Sequence, residues 1–252
     1  MSLDFSTAFR QGRCQNYSVR QLLNNGEIRL YTGPVPGAAD NAETGTVLAI
    51  LSANGGVLTK EVQATGTVTL SGVAGSITSI TVKTVEILGA TVNFTTDLPT
   101  TAALVASQIN SYIGEARVSA TSLGAVITIT MSLGLGANGN TLAVAATAGS
   151  GLTATPTNTA NGVTPVNGIQ IATAIGGVIN STGTIQGIGL STGNAAYFRY
   201  IGSLTDAGGA TTGLVRIQGT CGTVGSDCIM ASTLVNLGIQ QTIGQFQLTD
   251  PE

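Results

Sequence analysis

The stretch NAAYFRYIGSLTD (Asn194–Asp206) decides the fold. Tyr197, Arg199 and Ile201 alternate with Phe198 and Tyr200, and a period of two is the mark of a strand. AGGATTG then reads as a loose hairpin turn before a second run, GLVRIQGTCG (Gly213–Gly222). Upstream, IQIATAIGGVINSTGTIQGIGLSTG (Ile169–Gly193) gives mixed short strands. Downstream, STLVNLGIQQTIGQFQLTD (Ser232–Asp250) closes the chain in the same manner. Strand-sized runs divided by Gly-rich turns point to a β-sandwich or jelly roll.

The beginning of the chain fits that picture. EIRLYTG (Glu27–Gly33) sets Ile28 and Leu30 against Arg29 and Tyr31, as in a half-buried strand. A Pro/Gly loop, GPVPGAADNAETG, leads to a second strand at Thr46–Leu51 that can pair with the first. Before them, Ser6 to Asn24 is predicted as one helix. Ser6 or Thr7 caps it, Phe9, Tyr17 and Leu22 or Leu23 lie near helical spacing, and NNG (Asn24–Gly26) stops it.

A different texture begins at Lys60. Short Thr/Val/Ile strands with Gly turns lead into DLPTTAALVASQINSYIG (Asp97–Gly114), the clearest helical pattern in the chain. Asp97 or Thr100 can cap it, Pro99 sits near its start, and Leu104, Gln108, Ile109 and Ile113 are expected on its inner face. Strands return with Val126, Thr128 and Thr130 alternating against Ile127, Ile129 and Met131. GSGLTATPTNTANGVTP (Gly149–Pro165) is low in complexity and reads as a linker or long excursion. Residues 60–164 therefore read as a small α+β module. It interrupts a mainly β host domain, 1–59 plus 165–252, that is sandwich- or jelly-roll-like with a short N-terminal helix.

Composition narrows the function. The chain has 252 residues, 8% of them charged, a net charge of −3, and neither His nor Trp. Without His, the usual side chain for proton chemistry near neutral pH is missing. No Ser/His pair, GxSxG elbow or dinucleotide fingerprint occurs. GLGANGNT (Gly134–Thr141) lacks the GK[ST] of a phosphate loop and reads as a hairpin turn. The expectation is no enzyme, no cofactor and no metal. Net negative charge argues against nucleic acid as a partner. Polar residues break every apolar stretch, so no membrane span is expected. The N-terminus lacks the apolar core of a secretory signal. Cys221 and Cys228 flank GTVGSD and can face each other on paired strands, where a disulfide bridge is one reading and two thiols the other. A chain made in reducing cytosol is expected to keep them as thiols. Asp227 reads as a turn residue, and the TxT runs at Thr67/Thr69 and Thr128/Thr130 as ordinary outward strand positions.

Two stretches resemble a known group. FSTAFRQG (Phe5–Gly12), IRLYTGPVPGAADNAETGTVLAIL (Ile28–Leu51) and GGVLT (Gly55–Thr59) are similar to small virion proteins of tailed bacteriophages. Ala195–Thr249, from AAYFRYIGSLTD to GQFQLT, resembles the ending of those proteins in order and spacing. In such relatives the GGVLT equivalent leads quickly into the final strands; here a long segment intervenes. That segment, from TGTVTLSG to ASQIN (Thr65–Asn110), resembles a module that recurs within phage virion proteins.

The resemblance implies a virion structural protein, made in the bacterial cytoplasm, with a capsid decoration or cement role foremost. A tail, collar or baseplate component with a host-recognition module is the alternative. The implied partners are the phage major capsid protein or neighbouring virion proteins. Low charge and positive mean hydropathy further suggest self-assembly, a homotrimer or another closed ring. Candidate docking residues are Phe5, Phe9, Arg10, Arg13, Arg20 and Arg29, in an N-terminal arm and the first strand after it; the arm, Phe5–Arg13, is expected to be mobile unless tied down.

Overall fold

The computed structural model describes residues 3–15, 17–112 and 117–249. The fold is mainly β, with antiparallel sheets and three α-helices among the described residues. The chain divides into two compact units, Met1–Lys60 with Pro165–Glu252, and Glu61–Thr164. Each unit closes its own ends. Thr59 and Val166 exchange backbone hydrogen bonds of 3.0 and 3.1 Å in the first unit. Val62 and Val163 do so at 3.1 and 2.9 Å in the second.

The first unit is built on a sheet whose central strands are Arg216–Gly222, Tyr197–Ile201, Glu27–Tyr31 and Val47–Ala53, in that order. Both alternating runs thus become neighbours, with Arg199 opposite Arg29 and Tyr197 opposite Tyr31. The short strand Asp4–Phe5 extends one edge by pairing with Arg216–Gly222. Ile185–Ile188 and Gln240–Ile243 extend the other. One face carries Ile28, Leu30, Phe198, Tyr200 and Ile217, all buried, in company with Phe9, Leu22 and Leu23 from the N-terminal helices. A three-stranded sheet, Gln170–Ile171, Val178–Thr182 and Gln247–Thr249, gives the unit a sandwich-like second layer. Phe246, next to its last strand, packs its ring 4.7 Å from that of Tyr200.

The predicted helix from Ser6 to Asn24 is two helices, Thr7–Gln15 and Val19–Leu23. Ser18 makes the break. It sits in extended backbone and forms a capping box with Gln21: the Ser18 hydroxyl accepts from Gln21 N–H, and Gln21 accepts from Ser18 N–H. That reciprocal pair satisfies two groups that a continuous helix would have used otherwise. The N-terminal arm is not loose either. Asp4–Phe5 is a strand, Ser6 N–H donates to Arg216 O at 3.0 Å, and Phe9 is 1% exposed.

The chain turns sharply at Gly26. A Cβ there would collide with the Tyr200 ring and Ile201 O, so glycine lets Tyr200 reach Leu23 O with its hydroxyl.

The second unit has two antiparallel sheets. Leu152–Ala160, Thr65–Gly72, Val126–Thr130 and Ser119–Leu123 form one; Val144–Ala148, Ser76–Val82 and Val85–Glu86 form the other, with Val92–Asn93 also on Ser76–Val82. Val68, Leu70, Ile77, Ile80, Ile127, Ile129 and Met131 meet in its core.

The helix Leu98–Ser111 starts at Asp97, whose carboxylate accepts from Thr100 N–H at 2.7 Å. Its inner face includes Ile109 as expected but differs elsewhere. Thr101, Ala102, Val105, Ala106 and Ile109 are buried, whereas Leu104 is 43% exposed and Gln108 is half-buried. Ile113 lies outside the described residues. Small side chains let the helix lie close, so Thr101, Ala102 and Ala106 take inner positions that a pattern anchored on large residues does not reveal.

The supposed linker is also a strand. Leu152–Ala160 pairs with Thr65–Gly72 over most of its length. Pro156 fits because the strand is at the sheet edge, where a missing N–H costs no ladder bond. Its low complexity is Thr/Ala alternation on a strand.

Candidate functional site

The second face of the first unit's sheet is polar and buried. One cross-strand row runs Asp4, Gln218, Arg199, Arg29, Ile50. Residues opposite one another share a face, so four strands aim polar or charged groups into one layer. Arg199 and Arg216 are 0% exposed and Gln218 1%. Charges in such a place need partners. Arg216 finds Asp206: Nε–Oδ2 and Nη2–Oδ1 are both 2.6 Å, a bidentate bridge. Its other donors reach Ala39, Asn41 and Gly209 carbonyls. Arg199 donates to Gln218 Oε1 at 2.7 Å and Asn41 O at 3.1 Å, and Gln218 donates to Pro36 O at 2.8 Å. The Gly33–Gly45 loop is therefore held down by its carbonyls. Tyr197 stacks flat on Tyr31 at 4.7 Å and ties its hydroxyl to Thr44.

Electrostatics follow this packing. Burial works against ionisation of Asp206, but the Arg216 hydrogen bonds, Gly208 N–H and the nearby guanidinium charges outweigh it and hold its pKa below the usual aspartate value. Burial and the neighbouring Arg216 charge lower the pKa of Arg199. Arg29, opposite Arg199, donates to Glu27 at 2.8 Å, Glu43 at 3.1 Å and Asp206 O at 2.9 Å. Lys60 Nζ lies 3.3 Å from Glu27 and donates to Gly202 O at 3.1 Å; burial lowers its pKa and Glu27 offsets part of that.

This layer opens into a groove of about 540 Å³. Glu27, Arg29, Lys60 and Asp206 line its polar side, and Ile50, Val57, Ile188 and Leu190 its apolar side. Val57 is 87% exposed, Ile188 52% and Leu190 54%, so the rim is an apolar surface in water.

The docking candidates fall in three places. Phe9 is core, and Phe5 stacks on it at 5.0 Å. Phe5 and Arg13 also line a cavity of about 160 Å³ with Val19, Ile179 and Leu248. Arg10 and Arg20 are exposed; Arg10 reaches Thr7 Oγ1, and Arg20 donates to Ile171 O at 2.9 Å. Arg29 lies on its strand as expected, but it is 13% exposed and engaged by two glutamates, so it belongs to the groove floor. Sequence reasoning missed Arg199, Arg216 and Asp206. The signal was an Arg between two aromatic residues in a run with no polar face.

Other motifs resolve simply. GLGANGNT holds a 3₁₀ turn, Gly136–Gly139, where a hairpin was expected. N–H groups of Gly134 and Gly136 both donate to the Glu61 carboxylate, at 2.7 and 3.2 Å, so the chain's own anion fills the nest. Asp227 accepts from Thr220 N–H and hydroxyl, both at 2.9 Å. No group of three or more His, Cys, Asp or Glu that could hold a metal occurs among the described residues. No described helix is long and apolar enough to cross a membrane. No family model, curated protein or solved structure matches the chain.

Proposed function

We propose that this protein is a structural component of a tailed-phage virion, and specifically a capsid decoration or cement protein. One observation carries the reading. The two stretches similar to phage virion proteins, 5–59 and 195–249, lie far apart in the chain, yet both belong to the first unit and supply its four central strands. A resemblance that assembles into one sheet is what a shared domain requires.

The partners proposed are the major capsid protein and further copies of this chain, as a homotrimer or another closed ring. The apolar rim of the groove and the exposed Arg10 and Arg20 supply contact surface. Several modest contacts made at once hold an assembly far more firmly than any one alone. No catalytic step is assigned.

Purified protein added to particles that lack it tests the reading. Saturable binding at regular sites on the head lattice, seen by electron cryomicroscopy, is the expected result. Density confined to the neck or tail replaces decoration with the tail, collar or baseplate reading; no particle density overturns both.

A further inference from the structure

We propose that Cys221 and Cys228 form a redox-active dithiol, which a low-molecular-weight disulfide such as oxidised glutathione converts to an intramolecular disulfide. The two cysteines are register partners on adjacent strands, Arg216–Gly222 and Cys228–Ile229. Neighbouring strands lie about 4.8 Å apart, within the roughly 4.4–6.8 Å between Cα atoms that a disulfide spans. Both cysteines are free, and as register partners they share one face of the paired strands. Both are half-buried, which leaves a route for a small oxidant.

The pair is asymmetric. Hydrogen bonding to Cys228 and burial push the Cys221 thiol up, while the same hydrogen bond holds Cys228 below an ordinary thiol. Asp227, beside them, opposes ionisation of both, but its carboxylate is engaged by Thr220. Cys228 is therefore the first nucleophile, since the thiolate is the attacking form. Its thiolate attacks one sulfur of oxidised glutathione, forming a mixed disulfide and releasing one glutathione thiolate. Cys221 then loses its proton to solvent and attacks the Cys228 sulfur, releasing the second glutathione. Two protein thiols are oxidised and one glutathione disulfide is reduced to two thiols. The bond would staple the 222–227 loop, where Val224 is 81% exposed, onto its strand.

The test treats the full-length native protein with oxidised glutathione, blocks remaining thiols with iodoacetamide in denaturant, and reads tryptic peptides by mass. No Lys or Arg follows Arg216, so one peptide from Ile217 carries both cysteines. The expected product is that peptide, unalkylated and two hydrogens lighter. Exposed Cys14 serves as the unpaired reference and gains at most a mixed disulfide. In Cys221→Ser, Cys228 should retain a stable glutathione adduct. If Cys221 and Cys228 of the native protein stay alkylatable while Cys14 reacts, or each keeps glutathione without joining, the proposal is overturned.

Discussion

Asp206 and Arg216 meet through both carboxylate oxygens and two guanidinium nitrogens, each contact 2.6 Å, with neither side chain exposed to solvent. Desolvating two charges is costly, and such a bridge adds little over a well-packed apolar pair. Its role is conditional: once one partner is lost, the other is stranded. Asp206→Asn should therefore destabilise the first unit by about 3–5 kcal/mol. The double change Asp206→Leu with Arg216→Met should cost less than Asp206→Asn alone. Urea denaturation of the three proteins checks both statements.

Acid should act through the same pair. The folded pKa of Asp206 lies below its ordinary value near 4, so its contribution is fully present above that pH. As pH falls through the depressed folded pKa, Asp206 protonates, Arg216 is left unpaired, and stability drops. Glu86 in the second unit shifts the same way. Burial works against its charge, and hydrogen bonds from Ser79, Leu88, Ile80 and Gly89 outweigh it. Being only half-buried, it contributes less. Melting temperature should fall steeply below pH 4, and Asp206→Asn should flatten that fall. An unchanged profile in the variant would show that Asp206 is not the titrating group.

Deleting Met1–Arg13 should unfold the first unit, not merely remove a docking arm. The deletion takes away buried Phe9, the edge strand at Asp4–Phe5 and the Ser6 contacts to Arg216. Phe9→Ala alone should cost about 3–5 kcal/mol. By contrast, Arg10→Glu with Arg20→Glu should lower the melting temperature only slightly, because both residues are exposed and the long-range bond lost is Arg20 to Ile171 O. That variant is the clean probe for particle binding.

Replacing Glu61–Thr164 by a short Gly/Ser link should leave a cooperatively melting first unit. Thr59 and Val166 already pair across the gap. Lys60 is kept because its ammonium reaches Glu27 and Gly202 O. Calorimetry that shows no cooperative transition would mean the first unit depends on the second.

Much of this was legible in the sequence, and the exceptions share a cause. Strands Glu27–Tyr31 and Tyr197–Ile201 show in the period of two, Val47–Ala53 in a strand-sized apolar run, and Asp97 announces its helix by capping chemistry. Periodicity cannot say what covers a face. Alternation puts Arg29 and Arg199 on the face opposite the apolar one without saying that this face is buried, and the Gly33–Gly45 loop supplies the carbonyls that make that burial tolerable. Those carbonyls come from backbone, which sequence reading does not see. Likewise Leu152–Ala160 hid as a linker, because small Thr and Ala side chains carry little hydrophobic contrast. The groove escaped notice for a third reason: its walls come from Ile50, Val57 and Ile188, which only strand pairing brings together.

The detour of the chain between Lys60 and Pro165 sets an order of birth. Residues Glu27–Ala53 leave the ribosome early, but their sheet neighbour Tyr197–Ile201 is translated about 150 residues later, a delay of roughly 7–30 s at about 5–20 residues per second. The second unit, whose strands are contiguous in the chain, can fold completely in that interval. Meanwhile the nascent Glu27–Ala53 pair carries an open edge with Ile28 and Leu30 uncovered, the kind of template on which strands of neighbouring nascent chains join. Yield in the host cell should thus depend on translation speed and on chaperones that mask β edges, even where the finished protein is stable.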